Sequence, residues 1–375
     1  MAKKALLTID GHYKKVSKGL LTIDSVHKKI KKAYVTIGGV YRPCWAGGEL
    51  AYYGTITALI ANRQGLAATT VGNYALFAGG GSGSKPTVDA YDKSLSQKTP
   101  TQLSKGRDNI AAAAIGDYAL FAGGYGSSIL NTVDAYDLSL TRSTPSTLNS
   151  NRYAAAGASV GNHALIAGGC KGSTYDSSVT AYDTSLARTS TTSLSTSRSH
   201  VGATTVGDYA IFAGGLSSST HSTVEAYDSS LTKKACTSLS ASRFNAAATT
   251  VGKYALFGGG DTSAAWSAST SSCSKKVDVY DEYLTKTTAP DLSVNRTYLC
   301  ATTVGDFALF SGGSVGGNYQ AITDVYDASL TKTTATNLSV ARGSLAATTV
   351  GDFAIFAGGY TGSSEVGTVD VYTVA

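Results

Sequence analysis

A pair of adjacent glycines recurs seven times along this chain at nearly constant spacing. Five of the six intervals measure about 45 residues and the remaining one about 53, and a period of this length indicates a repeat architecture. In such an architecture each supersecondary unit is stacked against the next. The pairs are Gly79-Gly80, Gly123-Gly124, Gly168-Gly169, Gly214-Gly215, Gly259-Gly260, Gly312-Gly313 and Gly358-Gly359.

Distances within each repeat are fixed on both sides of one connection. The step from an arginine to the glycine pair has the same length in all seven copies, and so has the step from a tyrosine to the next arginine. Only the step from glycine pair to tyrosine varies, and it is longest in the fifth copy. Variable connections on a rigid scaffold are where functional loops are found. The arginines are Arg63, Arg107, Arg152, Arg198, Arg243, Arg296 and Arg342; the tyrosines are Tyr91, Tyr136, Tyr182, Tyr227, Tyr280 and Tyr326.

Each repeat has the pattern of four antiparallel strands. In the second copy, AAAAI (111–115) and DYALFA (117–122) meet at a Gly-Asp pair. This pair suits a type II′ hairpin turn, whose first position needs φ > 0. A third strand is predicted at TVDAY (132–136), and a fourth from about Thr141 to Leu148. Four such strands without a helix signal predict one propeller blade.

The two ends of the repeat region complement each other. The last copy stops after TVDVYTVA (368–375) and lacks a fourth strand, whereas YYGTITALIANR (52–63) has fourth-strand spacing to the first arginine. We expect the N-terminal segment to complete the last blade, because ring closure abolishes exposed sheet edges. The sequence therefore predicts an all-β, seven-bladed β-propeller over residues 50–375.

The same landmarks give this region a family resemblance. The glycine pair after the second strand, the tyrosine on the third and the arginine before the first resemble Kelch repeats over residues 50–375. The resemblance implies a β-propeller. The tryptophan expected after the tyrosine is absent, which indicates a diverged viral or bacterial version and gives no basis for transferring the partners of animal Kelch proteins. Leucine stands four residues past the tyrosine instead, as Leu95, Leu140, Leu186, Leu231, Leu284 and Leu330.

The first 46 residues differ from the rest in charge and in period. Residues 1–42 hold ten lysines and arginines against two aspartates, a net charge of +8, whereas the remainder carries 21 basic and 23 acidic residues. Each 14-residue unit is predicted to form a hairpin with a two-residue turn. We predict a basic tandem β-hairpin module at residues 1–46, ahead of the propeller. The repeated segments are 5–18, 19–32 and 33–46.

This basic module resembles the short modules that precede variable domains in virion proteins of phages and prophages of gut bacteria. The resemblance implies attachment to other virion proteins or to a second copy of the chain, and hence a homo-oligomer on the particle. Two other interpretations stay open. The lysine-rich strands could serve only to blunt sheet edges. Nucleic-acid binding is less favoured, because the module has few arginines and no recognition element. The expected attachment residues are Lys14, Lys15, Lys28, Lys29, Lys31, Lys32 and Trp45.

Other sequence features bear on location. No apolar run approaches the ~18–20 residues of a membrane span, and the five-residue apolar stretch Ala5–Ile9, ended by Asp10, does not fit an export signal. The five cysteines are far apart and never form CxxC, which argues against a disulfide framework or a zinc cluster. We expect assembly in the reducing cytoplasm of a bacterial host, without a signal peptide, and a final location on the virion.

Motifs for catalysis are hard to find. No GxxxxGK[ST] accompanies the glycine pairs, so they do not predict phosphate loops, and the five histidines lack metal-ligand spacing. Neither the Tyr/His/Cys set of Kelch-type copper oxidases nor the Ser-x-Asp-x-Gly-x-Thr-Trp box of sialidases is recognisable. We predict no catalytic residue, no cofactor and no metal. Aspartates after the third-strand tyrosines are predicted to cap turns: Asp92, Asp137, Asp183, Asp228, Asp281 and Asp327.

Sequence variation is concentrated where the loops between strands two and three meet the links between blades. Aromatic side chains beside short polar ones suit sugars and peptides. The longest loop, 261–276, places Trp266 where a contact anchor is useful. The repeated arginines either form a positive ring at the channel mouth or bond to blade carbonyls. The predicted ligand-binding residues are Asp108, Asn109, Tyr125, Tyr153, Tyr175, His200, His221, Phe244, Asn245, Trp266, Tyr298, Tyr319 and Tyr360.

Together these features favour a non-enzymatic phage virion protein, of the tail fibre, baseplate or head. Its propeller is expected to bind host surface, with glycan favoured over a protein receptor, while residues 1–46 attach it to the particle. Two alternatives stay open: a structural decoration or assembly protein without a receptor, and a sugar-modifying propeller enzyme.

Overall fold

The computed structural model describes residues 48–265, 269 and 271–374, and in addition the backbone of six strands between Ala5 and Ala46. Contacts divide the chain into two compact units: the larger comprises Ala51–Thr373, and the smaller contains the N-terminal strands with Leu50 and Val374. Several predicted residues have side chains outside the described part: Lys14, Lys15, Lys28, Lys29, Lys31, Lys32, Trp45 and Trp266.

The larger unit is the predicted seven-bladed β-propeller, and each blade is a four-stranded antiparallel sheet. In the described part of the chain, no helix is long and apolar enough to cross a membrane. From first to fourth strand, the blades are Ala67–Val71, Tyr74–Ala78, Val88–Asp92 and Gln97–Lys98; Ala111–Ile115, Tyr118–Ala122, Val133–Tyr136 and Arg142–Ser143; Ala156–Val160, His163–Ala167, Val179–Asp183 and Arg188–Thr191; Gly202–Val206, Tyr209–Ala213, Val224–Asp228 and Lys233–Cys236; Ala247–Val251, Tyr254–Gly258, Val277–Asp281 and Lys286–Thr288; Cys300–Val304, Phe307–Ser311, Thr323–Asp327 and Lys332–Ala335; Ala346–Val350, Phe353–Ala357, Val369–Val374 and Leu50–Ile56.

The fourth strands differ from the prediction in length. In blade two the strand covers Arg142–Ser143, not Thr141 to Leu148. Leu148 instead leaves the sheet and is buried in the core between blades two and three. Its amide donates to the carbonyl of Asn131 at 2.9 Å, so the segment gains tertiary rather than ladder bonds. This outer strand therefore has two residues, and short edge strands limit pairing with other chains.

Ring closure takes place at blade seven, as the sequence predicts. Leu50–Ile56 pairs as the outer strand with Val369–Val374, so chain segments from both ends share one sheet. Leu59, just beyond that strand, is buried beside Val369 in the core between blades seven and one. A closed ring leaves each blade face covered by its neighbour, which removes apolar surface from water.

Two-residue turns join the first and second strands. In blade one, Gly72 and Asn73 separate the paired residues Val71 and Tyr74. Gly72 has φ of 51°, and Asn73 lies outside the positive-φ region. A positive φ at the first position alone is the requirement of a type II′ turn, which confirms the turn predicted from the Gly-Asn and Gly-Asp pairs.

The second strand forms the buried centre of each blade. Phe77 is fully buried, and burying a side chain of this kind contributes about 1.5–3 kcal/mol. Its ring meets Tyr91 edge to face with centroids 6.0 Å apart. The Tyr91 hydroxyl donates to the carbonyl of Thr57 at 2.8 Å. Each third-strand tyrosine in this way ties its blade to the chain that precedes it.

Each repeat's arginine lies inside a blade and is fully buried. In blade two, Arg107 Nη2 donates to the carbonyl of Phe121 at 3.1 Å and lies 2.7 Å from Asp134 Oδ2. Six of the seven arginines pair with an acid at this place, two residues before the tyrosine. Of the two interpretations of the arginines, bonding to blade carbonyls is confirmed, and a positive ring at the channel mouth is wrong.

In blade three, the buried arginine also has a carboxylate partner, but the acid comes from a different position. Thr180 occupies the usual acid position and accepts from Arg152 Nη2 at 2.8 Å. Asp176, from the loop before the strand, supplies the carboxylate, with Oδ2 3.2 Å from Arg152 Nη1. Burial opposes ionisation, but hydrogen bonds from Ser150 and Ser178 and the arginine charge hold the pKa of Asp176 well below its usual value.

Aspartates after the third-strand tyrosines cap turns, as predicted. Asp137 Oδ1 accepts from the backbone amides of Ser139 and Thr141, both at 2.9 Å. The Ser139 hydroxyl and these amides lower the pKa of Asp137. Leu140, the leucine that follows the tyrosine in this repeat, adopts the left-handed conformation with φ of 63°. The capped turn holds this uncommon conformation for a bulky residue.

Hydroxyl groups join the inner strands of neighbouring blades. Thr349 Oγ1 donates to the carbonyl of Thr303, and Thr250 Oγ1 to that of Thr205, each at 2.5 Å. Equivalent bonds link six of the seven neighbouring inner strands. The exception lies between blades one and two, because Ala114 has no hydroxyl to donate.

The N-terminal strands form three two-stranded antiparallel hairpins, with the spacing that the 14-residue period predicts. The last hairpin contains an irregularity in register between Ala33 and Tyr34. The hairpins are Ala5–Ile9 with His12–Val16, Leu20–Ile23 with Val26–Lys29, and Lys32–Ile37 with Val40–Ala46.

Candidate functional site

The variable loops and the inter-blade links lie together on one face of the propeller, which we call the loop face. In six of the seven repeats, the residue after the arginine bridges to the residue after the glycine pair, as Asp108 does to Tyr125 and Tyr153 to Cys170. Tyr125 bridges in turn to Ile129 on the returning side of its loop. Link and loop therefore form one small sheet in which the backbone positions the variable side chains.

Two residues beyond each arginine, the backbone adopts the left-handed conformation, with φ between 49° and 61° at all seven positions. Hydrogen bonds between neighbours join six of the seven pairs into a ring, as from the Asn109 amide to the Gly65 carbonyl at 3.1 Å. These seven residues, which we call the channel-mouth ring, are Gly65, Asn109, Ala154, His200, Asn245, Tyr298 and Ser344.

The channel-mouth ring lines a concave depression of about 500 Å³ at the centre of the loop face. Gly65, Ala154 and Ser344 are not among the residues predicted from the sequence, although each lies a constant two residues beyond an arginine. Five of the predicted ligand-binding residues lie together in this depression: Asn109, Tyr153, His200, Asn245 and Tyr298.

Aromatic residues surround the depression in two groups. Tyr125 is 45% exposed, and its ring lies 5.7 Å from that of Tyr153. Tyr319 and Tyr360, both half-buried, are also 5.7 Å apart, with their rings edge to face. A hydrogen bond with Cys170 and burial raise the pKa of Tyr153 to about 12, so its hydroxyl stays protonated at neutral pH.

Two further predicted residues, Tyr175 and His221, lie outside the depression. Tyr175 is half-buried and bridges to Cys170, next to Tyr153. His221 Nε2 lies 2.7 Å from Ser217 Oγ within its own loop. Burial and the Arg198 charge lower the pKa of His221. These residues hold the loops in shape beside the depression and do not line it.

His200 and Phe244 are neighbouring predicted residues, but only His200 belongs to the channel-mouth ring. The His200 ring lies 6.0 Å from that of Phe244, and burial lowers the pKa of His200 to about 4. His200 is therefore neutral at pH 7 and lines the depression with an uncharged ring. Phe244 is only 1% exposed. Phe244, although a predicted ligand-binding residue, does not line the depression, and its side chain packs against the His200 ring.

The opposite face of the propeller carries the turns between strands one and two. Its end of the channel opens on a depression of about 410 Å³ lined mainly by threonines. Several of these threonine hydroxyls are used in the bonds between blades, as in the 2.8 Å contact of Thr70 with Thr348. Within residues 48–265, 269 and 271–374, no group of three or more His, Cys, Asp and Glu side chains is placed to hold a metal ion.

Comparison with known proteins supports the fold. No family model and no curated protein match this chain. The solved structure of YjhT superposes on it with a TM-score of 0.57, covering 85% of this chain and 99% of that one at 11% sequence identity. At this identity the likeness concerns the fold, and it agrees with the seven blades seen here. This chain is a seven-bladed β-propeller.

Proposed function

We propose that this chain is a non-enzymatic phage virion protein with a Kelch-like propeller that binds host-surface glycan through its loop face. Residues 1–46 would attach it to other virion proteins, in several copies on each particle. The fold alone does not distinguish this role from others, since propellers serve many functions. The support comes from the chemistry of the loop face.

The observation that carries the proposal is the channel-mouth ring. Seven equivalent backbone positions, all left-handed, carry six different residue types, whereas the arginine two residues earlier never changes. Structural demand alone favours glycine or asparagine where φ is positive. Tyr298 and His200 occupy such positions in spite of that preference. Side chains that differ on a fixed frame are typical of a recognition surface.

The composition of this surface suits a sugar. Tyrosine rings offer flat apolar area with a polar tip, and the amides of Asn109 and Asn245 offer donors and acceptors. His200 contributes no charge at neutral pH, because burial lowers its pKa to about 4. A concave surface of rings and neutral polar groups matches the alternating apolar faces and hydroxyls of a glycan.

The basic N-terminal module supports the location on a particle. Its net charge of +8 and its 14-residue repeat set it apart from the propeller, which is near neutral. Attachment of many copies to one particle would convert weak contacts into avidity. Weak single sites are expected here, because the main depression is open and shallow rather than enclosed.

Retention of the full chain on a glycan array tests the proposal. Tyr125→Ala, on the loop face, should lower retention at least several-fold, because it removes an exposed ring. Tyr283→Ala is the matched control: this tyrosine is 78% exposed in the turn between strands three and four, at the opposite face. Absence of retention, or equal loss in both variants, would reject glycan binding by the loop face.

A further inference from the structure

A second, smaller depression opens on the loop face beside the channel mouth, where blades seven, one and two meet. It measures about 220 Å³ and has polar walls, with Asp108 as its one charged residue. At Gly65 the wall is open, because a Cβ atom there would meet nothing within 4 Å. The lining residues are Gln64, Gly65, Gly81, Ser82, Asp108, Asn109 and Ser344.

Asp108 is a carboxylate that the fold does not use. Other acids have structural roles. The buried ones pair with arginines, as Asp134 does, and those after the third strands accept hydrogen bonds from the backbone of their own turns, as Asp137 does. Asp108 Oδ1 accepts a single bond, 2.9 Å long, from the side-chain amide of its neighbour Asn109. Within the described part of the chain, Asp108 Oδ2 accepts no hydrogen bond from another residue.

The backbone holds this carboxylate in place. Asp108 and Tyr125 exchange two amide-to-carbonyl bonds of 2.8 and 2.9 Å, which fix Asp108 in the wall of the depression. The same pairing places the exposed Tyr125 ring on the adjacent loop. Burial raises the pKa of Asp108, the bond from Asn109 opposes this shift, and the charge of Glu365 adds to it. The carboxylate is thus partly desolvated, which strengthens any hydrogen bond it accepts.

The surroundings disfavour an anion. Lys85, in the loop of blade one, is already engaged, because its Nζ donates to the carbonyl of Asn62 at 2.5 Å and lies 3.6 Å from Glu365 Oε2. The fully buried arginines present no charge to the surface. An anionic ligand would therefore meet the negative charges of Asp108 and Glu365, and like charges brought together cost binding energy.

We propose that this depression is a monosaccharide subsite, which binds a neutral sugar by a pair of adjacent hydroxyls. Both hydroxyls donate to the Asp108 carboxylate, the amide groups of Asn109 and Gln64 bond to neighbouring sugar oxygens, and an apolar sugar face packs on Tyr125. The proposal rests on the proposed glycan-binding function and adds to it the location and the neutrality of the bound sugar.

Titration of the full chain, followed by NMR, tests the subsite with methyl glycosides of glucose, galactose and mannose and with glucuronate, all in EDTA. At least one neutral glycoside should saturate the chain and glucuronate should bind far more weakly. Asp108→Asn should raise Kd about 10- to 100-fold, because it removes a charge-assisted bond. Gly65→Asn should weaken binding by more than about tenfold by filling the depression, and asparagine already occupies the equivalent ring positions 109 and 245.

Matched controls separate local from general effects. Asp117→Asn changes an acid in a turn on the opposite face, where other blades carry Asn73 and Asn162. Gly317→Asn changes another glycine with positive φ and open space around its Cβ position. Both should leave Kd within about twofold.

Three results would overturn the subsite: no neutral glycoside binds, glucuronate binds equally well, or Asp108→Asn and Gly65→Asn behave like their controls. If the glycan array still shows retention that depends on Tyr125, glycan binding by the loop face stands and only the subsite fails. If the array retains nothing, the proposed function fails with it.

Discussion

Asp176, the partner of the buried Arg152 in blade three, offers a direct test of how the ion pairs stabilise the propeller. Arg152 is fully buried and has its carboxylate partner Asp176 at 3.2 Å. At an effective dielectric constant of 20, Coulomb's law gives about 5 kcal/mol for that separation. Asp176→Asn keeps the shape but leaves the buried guanidinium without a counter-charge, which should cost about 3–5 kcal/mol of unfolding free energy.

Placing an aspartate at position 180 should restore most of the unfolding free energy lost in Asp176→Asn. In the double variant Asp176→Asn/Thr180→Asp, the carboxylate stands where the other six blades carry theirs, at 2.6 to 2.8 Å from the arginine. Asn149, which now accepts from Thr180, can turn its amide to donate instead. We expect the double variant to lie within about 2 kcal/mol of the unmodified chain, since most of the pair energy returns.

Urea unfolding of the full chain, followed by circular dichroism, measures both variants. Asp117→Asn, an exposed acid in a turn, serves as the control and should change the unfolding free energy by less than about 0.5 kcal/mol. If Asp176→Asn costs as little as this control, the buried ion pair does not stabilise blade three. If the double variant is no more stable than the single one, an acid at position 180 cannot replace Asp176 as the partner of Arg152.

Two further predictions concern other parts of the ring. Ala114→Thr should supply the missing hydroxyl bond to the Thr70 carbonyl and stabilise the chain by about 0.5–1.5 kcal/mol; an unchanged or lower urea midpoint would contradict the role given to the hydroxyls between blades. His200 has a folded pKa of about 4 against 6.5 in the unfolded chain, so the unfolded state binds more protons between these values and stability falls as pH drops from 6.5 to 4, by up to about 3 kcal/mol. His200→Asn should lose less stability between pH 7 and pH 4.5 than the unmodified chain, and an equal loss would show that His200 titrates normally.

The sequence alone predicts the propeller because the period, the turns and the burial pattern agree. The step from arginine to glycine pair, as from Arg107 to Gly123, spans one link and two strands, and its length is the same in every copy. Gly-Asp and Gly-Asn pairs suit the turn that the structure shows at Gly72, because its first position needs a positive φ. Local and global preferences that agree in this way are typical of a well-specified fold.

The ion pairs inside the blades could not be predicted in the same way. Asp134 alternates with the core residues of its strand, and such a pattern ordinarily indicates an exposed face. In a propeller both faces of a strand are covered, so Asp134 is buried and meets Arg107, 27 residues earlier. Sequence spacing does not show which long-range partners share a blade.

The candidate site was only partly predicted, because sequence spacing does not show which side chains meet. Variation identified the loop face, but it did not separate residues that line the depression from residues that support it. Phe244 and Tyr153 both follow an arginine directly, yet Phe244 is buried and Tyr153 lines the channel mouth. Both residues pair with the residue after a glycine pair at the same sequence step, so spacing does not show which of the two side chains is buried.

Hydrogen–deuterium exchange of the full chain, with and without a neutral glycan retained on the array, tests most directly whether the loop face binds the ligand. Glycan binding by the loop face should slow exchange at the amides of Asp108, Asn109 and Tyr125. Exchange at the opposite-face turn, including the amide of Asp117, should be unchanged. Protection of that turn with no change on the loop face would contradict glycan binding by the loop face.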